Sequence, residues 1–250
     1  MIEIEGVTKY FREKKVLEGV NLSINKGENF LIIGRSGAGK TVLLKNIIGL
    51  LTPDEGKIIV DGLDITKLDK KDLEDVRLQF GLVFQGSALF DFLTIEENVG
   101  FFLYQHTGLS RPEIRRKVKE TLALVGLEKI EDLYPHQLSG GMKKRVAIAR
   151  AIIYNPKIVI YDEPTTGIDP IAVDKVVSLI EDLHKHFAIT SLVVTHDLEV
   201  GLKLADRLAF LLGGKIIFEG NQQDLEDTKD ERVKQFIKGS SAGPIKEMEV

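Results

Sequence analysis

Gly34-Arg35-Ser36-Gly37-Ala38-Gly39-Lys40-Thr41 sets glycines, a lysine and a hydroxyl in the order that cradles phosphate. The stretch follows an apolar run, Phe30 to Ile33, and opens the helical pattern Val42, Leu43, Leu44, Ile47, Ile48. Glycines there let the backbone curl and aim several N–H groups inward at phosphate oxygens. The positive end of the following helix adds to the attraction. Lys40 is expected to reach the β- and γ-phosphates as a mobile point charge, and Thr41 to offer its hydroxyl to Mg²⁺. The motif in this strand–loop–helix setting predicts binding of a nucleoside triphosphate.

A second group lies far along the chain. Ile158-Val-Ile-Tyr-Asp162-Glu163 reads as an apolar strand ending in two carboxylates. Asp162 is expected to hold Mg²⁺ opposite Thr41. Glu163, on the other side of the pleat, is placed to polarise an attacking water as general base. Phosphoryl transfer needs both a metal to neutralise charge and a group to orient water. Leu138-Ser139-Gly140-Gly141-Met142 precedes a helix read as Lys143 to Ile153, with Ser139 at the capping position. Two glycines ahead of a helix N-terminus make a second phosphate element. Two such elements in one chain are redundant unless each nucleotide is held between two copies facing head to tail. His196, after the strand Leu192 to Thr195 and at the start of another helix, is placed to reach a γ-phosphate.

These groups need a scaffold, and 250 residues suffice for one large domain with its own core. Apolar and charged contents of 43% and 29% are those of an ordinary globular chain, and a net charge of −4 argues against a nucleic-acid partner. The absence of cysteine excludes disulfides, thiolate metal sites and cysteine nucleophiles, and suits a reducing compartment. No secretory signal is visible at Met1-Ile-Glu-Ile-Glu5, and no run of about 18 apolar residues occurs to span a membrane.

The order of elements reads as α/β. Strands are predicted over Ile2 to Val7, Leu17 to Ile24, Lys57 to Val60 and Gln79 to Phe84, with a helical stretch from Thr94 to about Tyr154. Lys157 to Tyr161 and Ser191 to Thr195 are runs expected of parallel strands covered on both faces. Leu208 to Leu212 and Lys215 to Phe218 flank Gly213-Gly214 as a hairpin, followed by two short polar helices. The reading is one domain over 1–240, a nucleotide core interrupted by a helical subdomain at about 90–155, with a tail at 241–250.

Together these residues resemble the ATP-binding-cassette family over nearly the whole chain. Gly34 to Thr41 match its phosphate loop, Gln85 its Q-loop and Leu138 to Met142 its signature. Ile158 to Glu163 match its Walker B strand, Gly167-Ile168-Asp169 its D-loop and His196 its switch histidine. The resemblance implies a RecA-like P-loop NTPase core with an antiparallel β subdomain and an inserted α-helical subdomain. It makes Phe11 the adenine-stacking aromatic, with Tyr10 as the alternative, and puts Gln85 with Thr41 and Asp162 around Mg²⁺ as nucleotide sensor. Met142 departs from the usual glutamine and Ile168 from the commoner leucine. Within the family the chain is similar to the ATPase subunits of Mla/Mce-type lipid transporters. The residues carrying that likeness are Phe84 to Phe90, the Leu43 to Leu51 helix, and Arg232 to Gly239 with Gly243-Pro244-Ile245. Some members use a longer C-terminal extension in subunit contacts, and here the chain stops shortly after Pro244.

The resemblance further implies a homodimer sandwiching two ATP·Mg²⁺, with Lys40 and Thr41 of one copy opposite Ser139, Gly140 and Gly141 of the other and Asp169 near the seam. It implies multi-span permease subunits, an anchored Mce-type lipid-binding protein and a small STAS-domain subunit as partners, at the cytoplasmic face of the inner membrane. Importers of amino acids or metals, or a soluble cassette of the iron–sulfur assembly type, are the other readings. A small-molecule kinase has no use for the signature element or His196. The long coiled coils of DNA-repair relatives and the paired cassettes of ribosome-acting ones are not visible.

Overall fold

The computed structural model describes residues 1–187 and 189–245. The chain opens with β1 (Ile2–Phe11) and β2 (Lys14–Ile24), antiparallel partners joined at a turn where Arg12 takes the left-handed region at φ 56°. Both strands run beyond the sequence reading, because cross-strand pairs such as Tyr10↔Lys15 and Phe11↔Lys14 carry the ladder past lysines that break the apolar run. Then come β3 (Asn29–Ile33), α1 (Lys40–Ile47), β4 (Glu55–Val60) and β5 (Leu63–Asp64). Next are α2 (Lys70–Arg77), β6 (Phe80–Val83), α3 (Ile95–His106) and α4 (Arg111–Leu124), with Pro112 in the first turn of α4. Pro135 falls in a short 3-10 turn before α5 (Gly140–Ile152). The rest is β7 (Ile158–Asp162), α6 (Pro170–Phe187), β8 (Thr190–Thr195), α7 (Leu198–Leu204), β9 (Arg207–Leu212), β10 (Lys215–Gly220), α8 (Gln222–Glu226) and α9 (Glu231–Ile237). None of the described helices is long and apolar enough to cross a membrane.

The chain forms two compact units, Met1–Lys67 with the chain from Thr195 onward, and Leu68–Val194. In the first, an antiparallel sheet runs in the order β2-β1-β4-β5. Beside it β3 pairs parallel with β9, from Phe30↔Arg207 to Ile33↔Phe210, and β9 turns at Gly213-Gly214 into β10 as predicted. Every residue of β3 is buried. Each buried Leu or Ile there contributes about 1.5–3 kcal/mol relative to exposure, so the loop that follows hangs from a stiff strand.

In the second unit β6, β7 and β8 are parallel, with Leu82↔Ile160↔Leu192 in register. Helices α3, α4 and α5 pack on one another, and α5 also lies against β6. The approach is close enough that a Cβ at Gly81 would sit 2.4 Å from the Ala151 carbonyl oxygen. That sets the C-terminal end of α5 directly on the start of β6. Of the predicted tail, residues 246–250 lie outside the described residues; Ile245 exchanges hydrogen bonds with the Gln235 side chain, its N–H donating at 2.7 Å.

Candidate functional site

The Gly34–Thr41 loop lies in the first unit, between β3 and α1. Gly37 and Gly39 take φ of +76° and +105°, a region that side chains with a Cβ adopt only under strain. Gly34 needs to be glycine for a different reason: a Cβ there would lie 2.4 Å from the Leu211 carbonyl oxygen. Lys40 is buried, its ammonium donating to the Gly34 carbonyl at 2.7 Å and the Arg35 carbonyl at 3.2 Å. The expected mobile charge is therefore folded back over its own loop. Thr41, Ser36 and Gly37 are exposed and Ala38 is buried. Gly39 abuts Val16 and Leu17 of β2, and Phe11 is exposed near the tip of the same hairpin, with the Lys9 ammonium 6.0 Å from its ring centre. His196 is exposed between β8 and Asp197, whose carboxylate accepts from the Val200 N–H at 3.1 Å and caps α7. The helix thus begins two residues later than the sequence reading has it.

The carboxylates lie in the second unit. Asp162 ends β7 and is partly exposed. Glu163 is buried and does not follow the pleat: it leaves the strand at φ 51°. Its direction is set by that left-handed turn and not by strand alternation, which corrects the sequence reading. A non-glycine residue there costs on the order of 1–3 kcal/mol unless its surroundings hold it. Here the Glu163 N–H donates to the Val194 carbonyl at 2.8 Å, and its own carbonyl accepts from the Lys144 ammonium at 3.2 Å. The carboxylate accepts from the Thr166 hydroxyl at 3.2 Å.

Gln85 is exposed two residues after β6, and its main-chain carbonyl accepts from the same Lys144 ammonium. Burial pushes the Lys144 ammonium below the ordinary lysine value, against the opposing pull of Glu163 and Asp162. The sequence reading missed this lysine. Its signal was present: Lys144, Ala147, Ile148 and Ala151 recur at helical spacing, so the lysine sits on a buried face.

The third group is around α5 and α6. Ser139 caps α5, accepting from the Met142 N–H at 3.3 Å. The helix starts at Gly140, so both glycines stand inside its first turn and not ahead of it, as the sequence reading had them. A helix can begin on two glycines here because the cap and packing replace propensity: a Cβ on Gly141 would meet the Ala172 Cβ at 2.7 Å. Asp169 accepts from the Ala172 N–H at 3.0 Å and starts α6. Ser139, Gly141, Met142, Asp169 and Lys175 line one surface depression of about 160 Å³.

Residues 17–166 match the family described as ABC transporter. The chain belongs to the ABC transporter family. It is an ATP-binding and ATP-hydrolysing cassette with the α/β P-loop NTPase fold. The cassette is 41% identical over 246 residues to the intermembrane phospholipid transport system ATP-binding protein MlaF of Haemophilus influenzae, covering 98% of this chain and 93% of that protein. It is also 39% identical to the methionine import ATP-binding protein MetN of Halalkalibacterium halodurans, covering 95% of this chain and 72% of that one. A dimeric cassette solved in a post-hydrolysis state with ADP and phosphate superposes at a TM-score of 0.81 and 35% identity, over 88% of this chain and 98% of its own.

Proposed function

We propose that this cassette powers a transporter that moves phospholipid between membranes, acting peripherally at the cytoplasmic face of the inner membrane. The observation that carries the cargo is the nearly end-to-end match to the phospholipid system's ATP-binding protein. Import of an amino acid is the second reading, because the methionine importer's subunit lies only slightly further in identity. Multi-span permease subunits, an anchored Mce-type lipid-binding protein and a small STAS-domain subunit are the proposed partners.

Two copies sandwich two nucleotides, a reading supported by the likeness to a dimeric cassette bound to ADP and phosphate. Lys40 and the loop Gly34 to Gly39 bind phosphate in one copy, and Ser139, Gly140 and Gly141 bind it from the other. Phe11 stacks on the adenine, Glu163 takes the proton of the attacking water, His196 contacts the γ-phosphate and Asp169 lies near the dimer seam. The Thr41 hydroxyl, the Gln85 amide oxygen and the Asp162 carboxylate would hold Mg²⁺, being hard oxygen donors of the kind that ion takes. That ion, when bound, neutralises charge on the β- and γ-phosphates. Removal of the γ-phosphate releases the two copies, and Gln85 with the Ser87 to Asn98 stretch carries the change to a permease helix.

The test is capture of the tagged chain from detergent-solubilised membranes, with mass spectrometry of what accompanies it. A multi-span permease with an anchored Mce-type protein supports phospholipid as cargo. A permease with a periplasmic amino-acid-binding protein moves the reading to an importer, and soluble partners alone move it away from transport.

A further inference from the structure

We propose that Lys144 is a positioning residue for hydrolysis, whose buried ammonium fixes the backbone at Glu163 and ties it to the Gln85 loop. The inference rests on the reading that Glu163 orients the attacking water.

A lysine only 4% exposed has lost most of its hydration and is tolerated where acceptors replace it. An ammonium has three donors, and both acceptors seen at this one are main-chain carbonyls, of Gln85 and of Glu163. Lys144 therefore grips backbone at two places that are far apart in sequence and both next to the proposed chemistry.

The grip matters because Glu163 stands in the left-handed region. Its carboxylate direction follows from how the peptide units on either side are held. Val194 holds the preceding N–H at 2.8 Å and Lys144 holds the following carbonyl. The Gln85 loop is gripped again from the same helix. Arg150 donates to the Ser87 carbonyl at 2.8 Å and the Ala88 carbonyl at 2.6 Å, at two more residues with positive φ. Helix α5 is capped at its start by Ser139, the proposed contact to the second copy's nucleotide. A small movement of α5 thus moves the base-bearing turn and the Gln85 loop together, through one ammonium.

The experiment compares Lys144→Met, Lys144→Gln, Lys144→Arg and Glu163→Gln in the full chain, purified with the partners it retains. It measures kcat and KM for Mg·ATP, nucleotide affinity by fluorescence titration, and the thermal midpoint. Lys144→Met is expected to lower kcat at least about tenfold while KM and nucleotide affinity stay within about threefold, because geometry at the reacting atoms is lost and binding is not. Lys144→Arg, which can still donate to both carbonyls, is expected to recover most of the rate, with Lys144→Gln between. Wild-type kcat in Lys144→Met overturns the proposal, and so does a loss of affinity in step with kcat, which marks a structural role. If Lys144→Met fails to fold, Lys144→Gln decides in the same way. Wild-type turnover by Glu163→Gln brings down the general-base reading itself, whereas an inactive Glu163→Gln beside a fully active Lys144→Met brings down only the positioning role.

Discussion

Gly141 is wedged against Ala172: a Cβ added at position 141 would lie 2.7 Å from the Ala172 Cβ, closer than any real pair of such atoms. The start of α5, which carries the signature residues, is thereby set directly on the start of α6, which Asp169 caps.

Gly141→Ala is expected to force those helix starts apart, at a cost of about 1–3 kcal/mol, the usual penalty for overpacking a tight contact. ATP hydrolysis should fall with it. The double variant Gly141→Ala, Ala172→Gly returns the space and should recover stability in a urea titration. If the single variant is as stable as wild type, the contact is softer than its geometry says.

Glu163→Gln keeps the side-chain volume and the Thr166 hydrogen bond but cannot accept a proton. It should bind ATP with near-wild-type affinity and release phosphate about 10²-fold more slowly or worse. Phosphate release and nucleotide titration on the same preparation check both halves, and unchanged turnover removes the base from Glu163.

Lys40→Ala removes the ammonium that rests on the Gly34 and Arg35 carbonyls. Nucleotide affinity should drop at least about tenfold, since a charge-assisted hydrogen bond to phosphate is worth about 1.5–3 kcal/mol. An affinity within threefold of wild type, measured by calorimetry, would show that the backbone N–H groups of the loop suffice.

Phe90, Phe92 and Phe101 form a partly exposed aromatic cluster, with Phe92 78% exposed and ring centres 5.8 Å (Phe90–Phe92) and 5.0 Å (Phe90–Phe101) apart. Exposed aromatics grouped in this way mark an interaction surface. Phe92→Asp should leave folding stability within about 0.5 kcal/mol and basal hydrolysis unchanged while abolishing co-purification with permease subunits. Undiminished co-purification would place the permease contact elsewhere.

The Tyr154 hydroxyl donates to the Phe80 carbonyl at 2.6 Å, and burial pushes its pKa up to about 12. An unfolded tyrosine ionises near about 10, so the folded state binds more protons between those values. The group's contribution is complete below a pH of about 10 and is lost as pH rises through the folded value. Tyr154→Phe should therefore lose less stability than wild type between about pH 9.5 and about pH 11.5 in urea titrations, points about half a unit below each edge of that window. Parallel curves would remove Tyr154 as the cause.

How far the site was legible depends on the residue. The phosphate loop could be read because all its requirements are local: an apolar strand before it, glycines at turning positions and a helical pattern after it. The Ser139 cap, the Gly213-Gly214 hairpin and the helix start at Pro112 were legible for the same reason. The full length of β1 and β2 was not, because Lys9, Lys14 and Lys15 interrupt the apolar run there and the ladder continues only through cross-strand pairing.

Glu163 and Lys144 mark the boundary most clearly. Sequence alone determined that a carboxylate follows Asp162 at the end of an apolar strand, and that a lysine falls at an apolar spacing in α5. It could not determine that the carboxylate turns out of the strand at φ 51°, or that the lysine reaches its carbonyl. Those depend on contacts across 19 residues to Glu163 and 59 to Gln85, made only once α5 is laid against β6. Local periodicity says which face of a helix is buried. Only the packed neighbours decide which atoms that face finds, since a buried ammonium takes whatever acceptors the tertiary structure brings to it.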